Sequence, residues 1–192
     1  MSAWIEMVSD EDADEALLGA LELARTPHGT VDNVLRVHSL RPNTMRGHII
    51  LYRAILHDAS NTLPTWFQET IGSYVSILNA CDYSLSNHWA NARHLIDDEV
   101  RAAEIEAALQ ARRPQDAFSG DELALLKYAE ILTLSPGEIQ ESDVAAMRDR
   151  GVDDGQILEA NQIVCYFNYV NRSLNGLGVT TAGDIVGYYA AD

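Results

Sequence analysis

Residues 69–88 read ETIGSYVSILNACDYSLSNH, and this stretch gathers a carboxylate (Glu69), a thiol (Cys81), a hydroxyl (Ser84) and an imidazole (His88). At about 100° per residue, a helix running on from Cys81 puts Cys81, Ser84 and His88 at i, i+3 and i+7, on one face. Glu69 does not fit that face, because an unbroken helix would hold it about 18 Å along the axis from Cys81. The chain must therefore bend, and Asn79-Ala80-Cys81-Asp82 is the place, since Asn and Asp compete for backbone groups and serve as turn or cap residues. The bend predicts two helices that bring Glu69 back toward His88 and leave Cys81 at a helix N-terminus. Free N–H groups there favour a thiolate, so an accessible thiol of lowered pKa is expected.

Outward from this segment the pattern is helical. Toward the N-terminus, Trp66, Phe67, Ile71, Tyr74, Val75 and Leu78 make the helix opened by Pro64 apolar enough for the core. Before it, Pro42 opens a helix that lasts to about His57, a short helix covers 31–39, and Ser9 or Asp10 caps one that ends near Arg25. Toward the C-terminus, helices are expected from Asp82 to Ile96 and from Asp97-Asp98-Glu99 to about Gln110. Ser119-Gly120-Asp121-Glu122 then reads as a capping box, Ser142 as the next cap, Gly151 as a left-handed stop, and 154–175 as the last long helix. Period-two alternation is absent, so the class is all-α. With 192 residues the chain is expected to form one domain, 1–192, with a linker at 112–118 between halves 31–111 and 119–180 that hint at duplication.

Composition narrows the function. A formal net charge of −16 argues against tracking nucleic-acid phosphates or an anionic membrane surface, both of which need clustered Lys and Arg. Two cysteines far apart give neither a disulfide framework nor a CxxC zinc pair, which fits a reducing cytoplasm. The first residues, MSAWIEMVSDEDADE, lack a basic start and a long apolar run, so a soluble, unprocessed protein is expected. His28, His38, His48, His57 and His94 show no Glu-x-x-His or His-x-x-x-His pairing, so no metal and no cofactor is called for. Cys165, in Ile163-Val164-Cys165-Tyr166-Phe167, reads as a core residue. Asn168, Asn171 and Asn175 repeat the i, i+3, i+7 spacing and read as a solvated face before a polar stripe lining a site or interface. The apolar N-terminal arm (Trp4, Ile5, Met7, Val8) and the Tyr188-Tyr189 tail suggest surfaces that need a second copy.

On spacing alone, a buried small thiol, a surface hydroxyl, a satisfied histidine and a solvated carboxylate are the commoner reading of the four motif residues. The order Glu69-x₁₁-Cys81-x₂-Ser84-x₃-His88 nevertheless resembles the active-site pattern of the alkylhydroperoxidase D / carboxymuconolactone decarboxylase superfamily. Leu63-Pro64, Asn79-Ala80-Cys81-Asp82-Tyr83, Asp143 to Arg148, Gly151 to Asp154, and Asn171 to Val179 look like segments of its peroxidase-related branch. The resemblance covers roughly 35–180. It implies an all-helical subunit that forms a homo-oligomer (dimer, trimer or hexamer) and a peroxidase of peroxiredoxin type that reduces hydroperoxides with a dithiol and a Glu–His proton relay.

Carried onto this chain, Glu69 and His88 form the relay and Cys81 is the resolving cysteine. Ser84 stands where the family has the cysteine that attacks the peroxide, so the two-cysteine cycle cannot run. Three outcomes are open. Cys81 alone is oxidised to a sulfenic acid and reduced by an external thiol; or Glu69 and His88 perform acid–base chemistry on a small lactone or keto acid, as in the decarboxylase branch; or the site is degenerate and the oligomer only binds.

Overall fold

The computed structural model describes residues 2–189. Among these there is no strand, and nine α-helices follow one another: α1 (Glu15–Leu23), α2 (Asn33–Arg36), α3 (Pro42–Leu56), α4 (Thr65–Leu78), α5 (Asp82–Ile96), α6 (Glu99–Gln110), α7 (Gly120–Leu134), α8 (Glu141–Arg148) and α9 (Asp154–Leu177). Short 3₁₀ turns, Pro114–Asp116 and Pro136–Glu138, flank α7.

Helix α4 is the centre. It packs against α5, α7 and α9, and every residue from Phe67 to Ser76 is buried. A helix buried on all sides must satisfy its polar side chains internally. Thr70, Ser73 and Ser76 do so by donating to the carbonyls of Trp66, Glu69 and Gly72, each at 2.8 Å. The absence of a side chain at Gly72 lets α9 come close, since a Cβ there would lie 2.3 Å from the Phe167 ring. The main apolar core joins α4 to α9 around Phe67, Ile71, Tyr74, Phe167 and Leu174, so both halves of the chain share it. A smaller core under α1, α2 and α3 holds Leu17, Leu21, Leu35, Met45 and Ile49.

Several expected boundaries move. Helix α1 starts at Glu15, because Asp14 accepts the Leu17 N–H (2.8 Å) whereas Ser9 is engaged with Asp12. The 31–39 helix shrinks to one turn, Asn33–Arg36. Ser119 stands at the N-cap of α7 but makes no side-chain cap bond, and α8 is capped by a box between Gln140 and Asp143 in place of Ser142. Gly151 takes the left-handed conformation expected of it (φ 90°).

Candidate functional site

The α4–α5 bend is a Schellman closure with an alanine in the glycine position. The Cys81 N–H donates to Ser76 O (2.9 Å), the Ala80 N–H donates to Ile77 O (3.1 Å), and Ala80 has φ 50°. Asn79 and Asp82 do not close the turn with their side chains. The Asn79 amide reaches across to Asn168 Oδ1 (3.1 Å), and Asp82 occupies the first turn of α5. The asparagines on α9 are what pin the bend. Asn175 donates to Asn79 O (3.0 Å), and Asn171, fully buried, donates to the Ser76 hydroxyl (3.3 Å). The solvated face expected for this stripe is therefore wrong at Asn171, and the stripe ties α9 to the turn beneath Cys81.

The bend returns Glu69 to His88. Glu69 has no exposed surface, and its Oε2 lies 2.6 Å from His88 Nδ1 while Oε1 accepts from Asn91 Nδ2 at 3.2 Å. An isolated buried carboxylate is expensive, and these two donors on one face of α5 are what hold it. With Nδ1 turned to Glu69, His88 has Nε2 left as its free nitrogen. The ring stands edge-on to Phe167, centroids 4.5 Å apart, so packing fixes its plane.

Cys81 departs from expectation. It is the N-cap of α5, where free N–H groups favour a thiolate, but its side chain makes no cap hydrogen bond. Burial outweighs them: the residue is 1% exposed and its thiol pKa is pushed up, not down. Cys165, expected in the core, is exposed instead; its neighbours Val164 and Tyr166 are buried, and the helical turn carries position 165 outward.

A cavity of about 270 Å³ opens against this pair. Ser84, Asn87, His88 and Asn91 of α5 form one wall, and Cys81 is not part of the lining. Helix α3 contributes His48, Ile49, Tyr52 and Arg53, and α9 contributes Tyr166 and Val170. The C-terminal tail closes the cavity within the same chain. Asn87 accepts from the Gly187 N–H (3.2 Å), Asn91 accepts from the Tyr188 N–H (2.6 Å), and the Tyr188 ring lies 4.8 Å from His57. The arm is likewise engaged, with the Trp4 N–H on Leu177 O (2.8 Å). The tail thus finds partners within the chain, whereas the arm is held by its backbone and leaves Trp4 77% and Ile5 40% exposed.

Sequence reading missed the histidines and Asn91. His28 precedes α2, while His48 lies on α3 and His57 at its C-cap, and the fold brings the three to one cavity. His48 and Tyr52 at i, i+4 on α3 were the available signal. His48 shares a proton with the Tyr166 hydroxyl (2.9 Å) and with His38 (3.1 Å), which meets the Thr44 hydroxyl (2.9 Å). Burial, aided by His38, pulls the His48 pKa down to about 3, so it is neutral. Among the described residues no group of His, Cys, Asp or Glu is arranged to hold a metal ion. No helix there is long and apolar enough to cross a membrane.

No protein-family model matches the sequence, and no curated protein does. Solved structures do match. A peroxidase-related protein of Ralstonia eutropha JMP134, described as an alkylhydroperoxidase AhpD core, superposes with a TM-score of 0.81 at 19% identity over 94% of this chain and 93% of that one. A peroxidase-related protein of Silicibacter sp. TM1040 gives 0.81 at 20% identity over 98% and 95%. The chain has the alkylhydroperoxidase D fold. A debrominase shares this fold with a TM-score of 0.73 at 17% identity over 94% and 91%, and a cysteine-to-alanine variant of it has been solved with 2,3,4-tribromopyrrole. At such identities the likeness is one of fold.

Proposed function

We propose that this protein is an enzyme that moves a proton on a small substrate held in the α3–α5–α9 cavity, by acid–base chemistry of the decarboxylase type on a lactone or keto acid. The observation that carries the reading is the 2.6 Å contact between a fully buried Glu69 and a His88 that lines the cavity. Glu69 holds the proton on Nδ1 and so keeps Nε2 as the basic nitrogen. A carboxylate that orients an imidazole in this way supports its use as general base and, once protonated, as general acid. Ser84 supplies a hydroxyl at the same wall. The sulfur is not required, because Cys81 is outside the cavity lining and burial disfavours its thiolate.

A panel of unsaturated lactones and β-keto acids tests this. Turnover is expected to survive Cys81→Ala and to fall by about 10²–10⁴-fold in Glu69→Gln and His88→Ala. Turnover indifferent to both Glu69 and His88 would overturn the proposal.

A second reading rests on the place of Cys81 at the N-terminus of α5, where free N–H groups favour a thiolate, together with the peroxidase-related description of two neighbours. In it Cys81 attacks a hydroperoxide, takes one oxygen as a sulfenic acid, releases an alcohol or water, and is restored by two equivalents of an external thiol, which leave as a disulfide. It requires peroxide consumption that disappears in Cys81→Ala.

A further inference from the structure

The acid–base reading gives Ser84 no more than a place on the cavity wall, yet its surroundings are those of a nucleophile. Ser84 stands four residues before His88 on α5, and both line the cavity. Residues at i and i+4 of a helix are neighbours, with Cβ atoms about 6 Å apart, and a helical side chain leans toward the N-terminus. The His88 ring therefore lies over the turn that carries Ser84. With Nδ1 held by Glu69 at 2.6 Å, the nitrogen left for Ser84 is Nε2.

Both atoms are available. The Ser84 hydroxyl and His88 Nε2 have no hydrogen-bond partner among the described residues, and neither is sealed from solvent. Ser84 as a whole is 2% exposed, so the opening its hydroxyl keeps is the one onto the cavity it lines. A hydroxyl, an imidazole in reach of it directly or through one water, and a buried carboxylate that orients the imidazole are the parts of an activated serine. From α3, the Tyr52 hydroxyl also lines the cavity without a partner among the described residues and is not sealed. Burial and the nearby charge of Glu69 keep it protonated, so it can donate to an oxygen on which negative charge develops.

We infer that Ser84 is an acyl-accepting nucleophile and that the protein cleaves small neutral esters or lactones through an acyl-serine. The inference rests on the Glu69–His88 pair of the proposed function, but the reaction centre is a carboxyl carbon and no bond to an α-carbon breaks. Ser84 Oγ adds to the carbonyl carbon as its proton passes to His88 Nε2. The C–O bond to the leaving alcohol then breaks, and that oxygen takes the proton from Nε2. Water attacks the acyl-serine in the same way, giving its proton to Nε2, and Ser84 leaves with that proton as a carboxylic acid is released. In a lactone the alcohol stays tethered to the acid. The walls Val34, Leu35, Ile49 and Val170 are apolar and suit an uncharged acyl group.

Phenylmethanesulfonyl fluoride and 4-nitrophenyl acetate, applied to the full chain, test the inference. The sulfonyl fluoride is expected to add one phenylmethanesulfonyl group per chain with loss of fluoride, mapped to Ser84 by peptide mass spectrometry, and to stop hydrolysis of the ester. Ser84→Ala is expected to lose both the adduct and the hydrolysis, and Glu69→Gln and His88→Ala to slow both by about 10²–10⁴-fold. A wild-type protein without an adduct at Ser84, ester hydrolysis that survives Ser84→Ala, or labelling of His88→Ala at the wild-type rate would each overturn it. The wild-type peptide map decides even if the alanine variant folds poorly. The two readings fail separately. Turnover of β-keto acids that needs His88, with Ser84 unlabelled, removes the acyl-serine and leaves the acid–base reading standing; a labelled Ser84 in a protein that turns over no keto acid or lactone through carbon-acid chemistry does the reverse.

Discussion

A carboxylate with no exposed surface survives in a protein only where donors surround it, and Glu69 has two, His88 and Asn91. Asn91 also accepts from the Tyr188 backbone at 2.6 Å, so one side chain couples the carboxylate to the closing tail. Asn91→Leu is expected to lower turnover and to speed amide exchange at Tyr188, both readable on the same sample. His88 is placed by packing as much as by Glu69. Gly72→Ala would drive a methyl group into Phe167, the ring that stands against His88, and should destabilise by about 1–3 kcal/mol in chemical denaturation.

His48 gives a pH signature. Its folded-state pKa is lowered to about 3 by burial, with His38 adding to the effect, while an unfolded histidine titrates near 6.5. The unfolded chain therefore takes up this proton first, and stability is lost as pH falls below about 6.5 toward 3. Wild type should lose roughly 1 kcal/mol more per pH unit than His48→Gln between pH 6 and 5, measured by urea denaturation.

At the scale of elements, the α4–α5 turn shows what could be read beforehand and what could not. The bend itself was legible, because Glu69 and His88 lie too far apart on any straight helix. Its mechanism was not, since nothing in Asn79-Ala80-Cys81-Asp82 announces an alanine in the left-handed position. Ala80 bears the strain that a glycine would not, so Ala80→Gly is expected to stabilise by about 0.5–1 kcal/mol or to be neutral, against a loss at an ordinary alanine; thermal melts read the sign. Pro42 and Pro64 marked helix starts for a local reason, a fixed φ and a missing N–H, and local reasons are visible in sequence.

Burial is not local. Cys81, Cys165 and Asn171 were each misjudged because their exposure depends on which face of α5 or α9 is covered by segments remote in the chain. The histidines of the cavity escaped notice for the same reason. They share no spacing, only a fold.

The molecule as a whole carries a formal charge of −16, and self-repulsion of that size loosens a compact state. Raising the salt concentration should raise the melting temperature through screening. Self-association is a separate expectation: the tail packs within the chain, while the arm keeps Trp4 and Ile5 exposed, and light scattering will read the mass against 21.2 kDa.

The whole account turns on the proton between Glu69 and His88, and nitrogen-resolved NMR of the His88 ring observes it without knowledge of the substrate. In its neutral form the ring is expected to carry its proton on Nδ1 with Nε2 bare, a preference that weakens in Glu69→Gln. A ring protonated at Nε2 in the wild-type protein, with Nδ1 bare, would contradict the account.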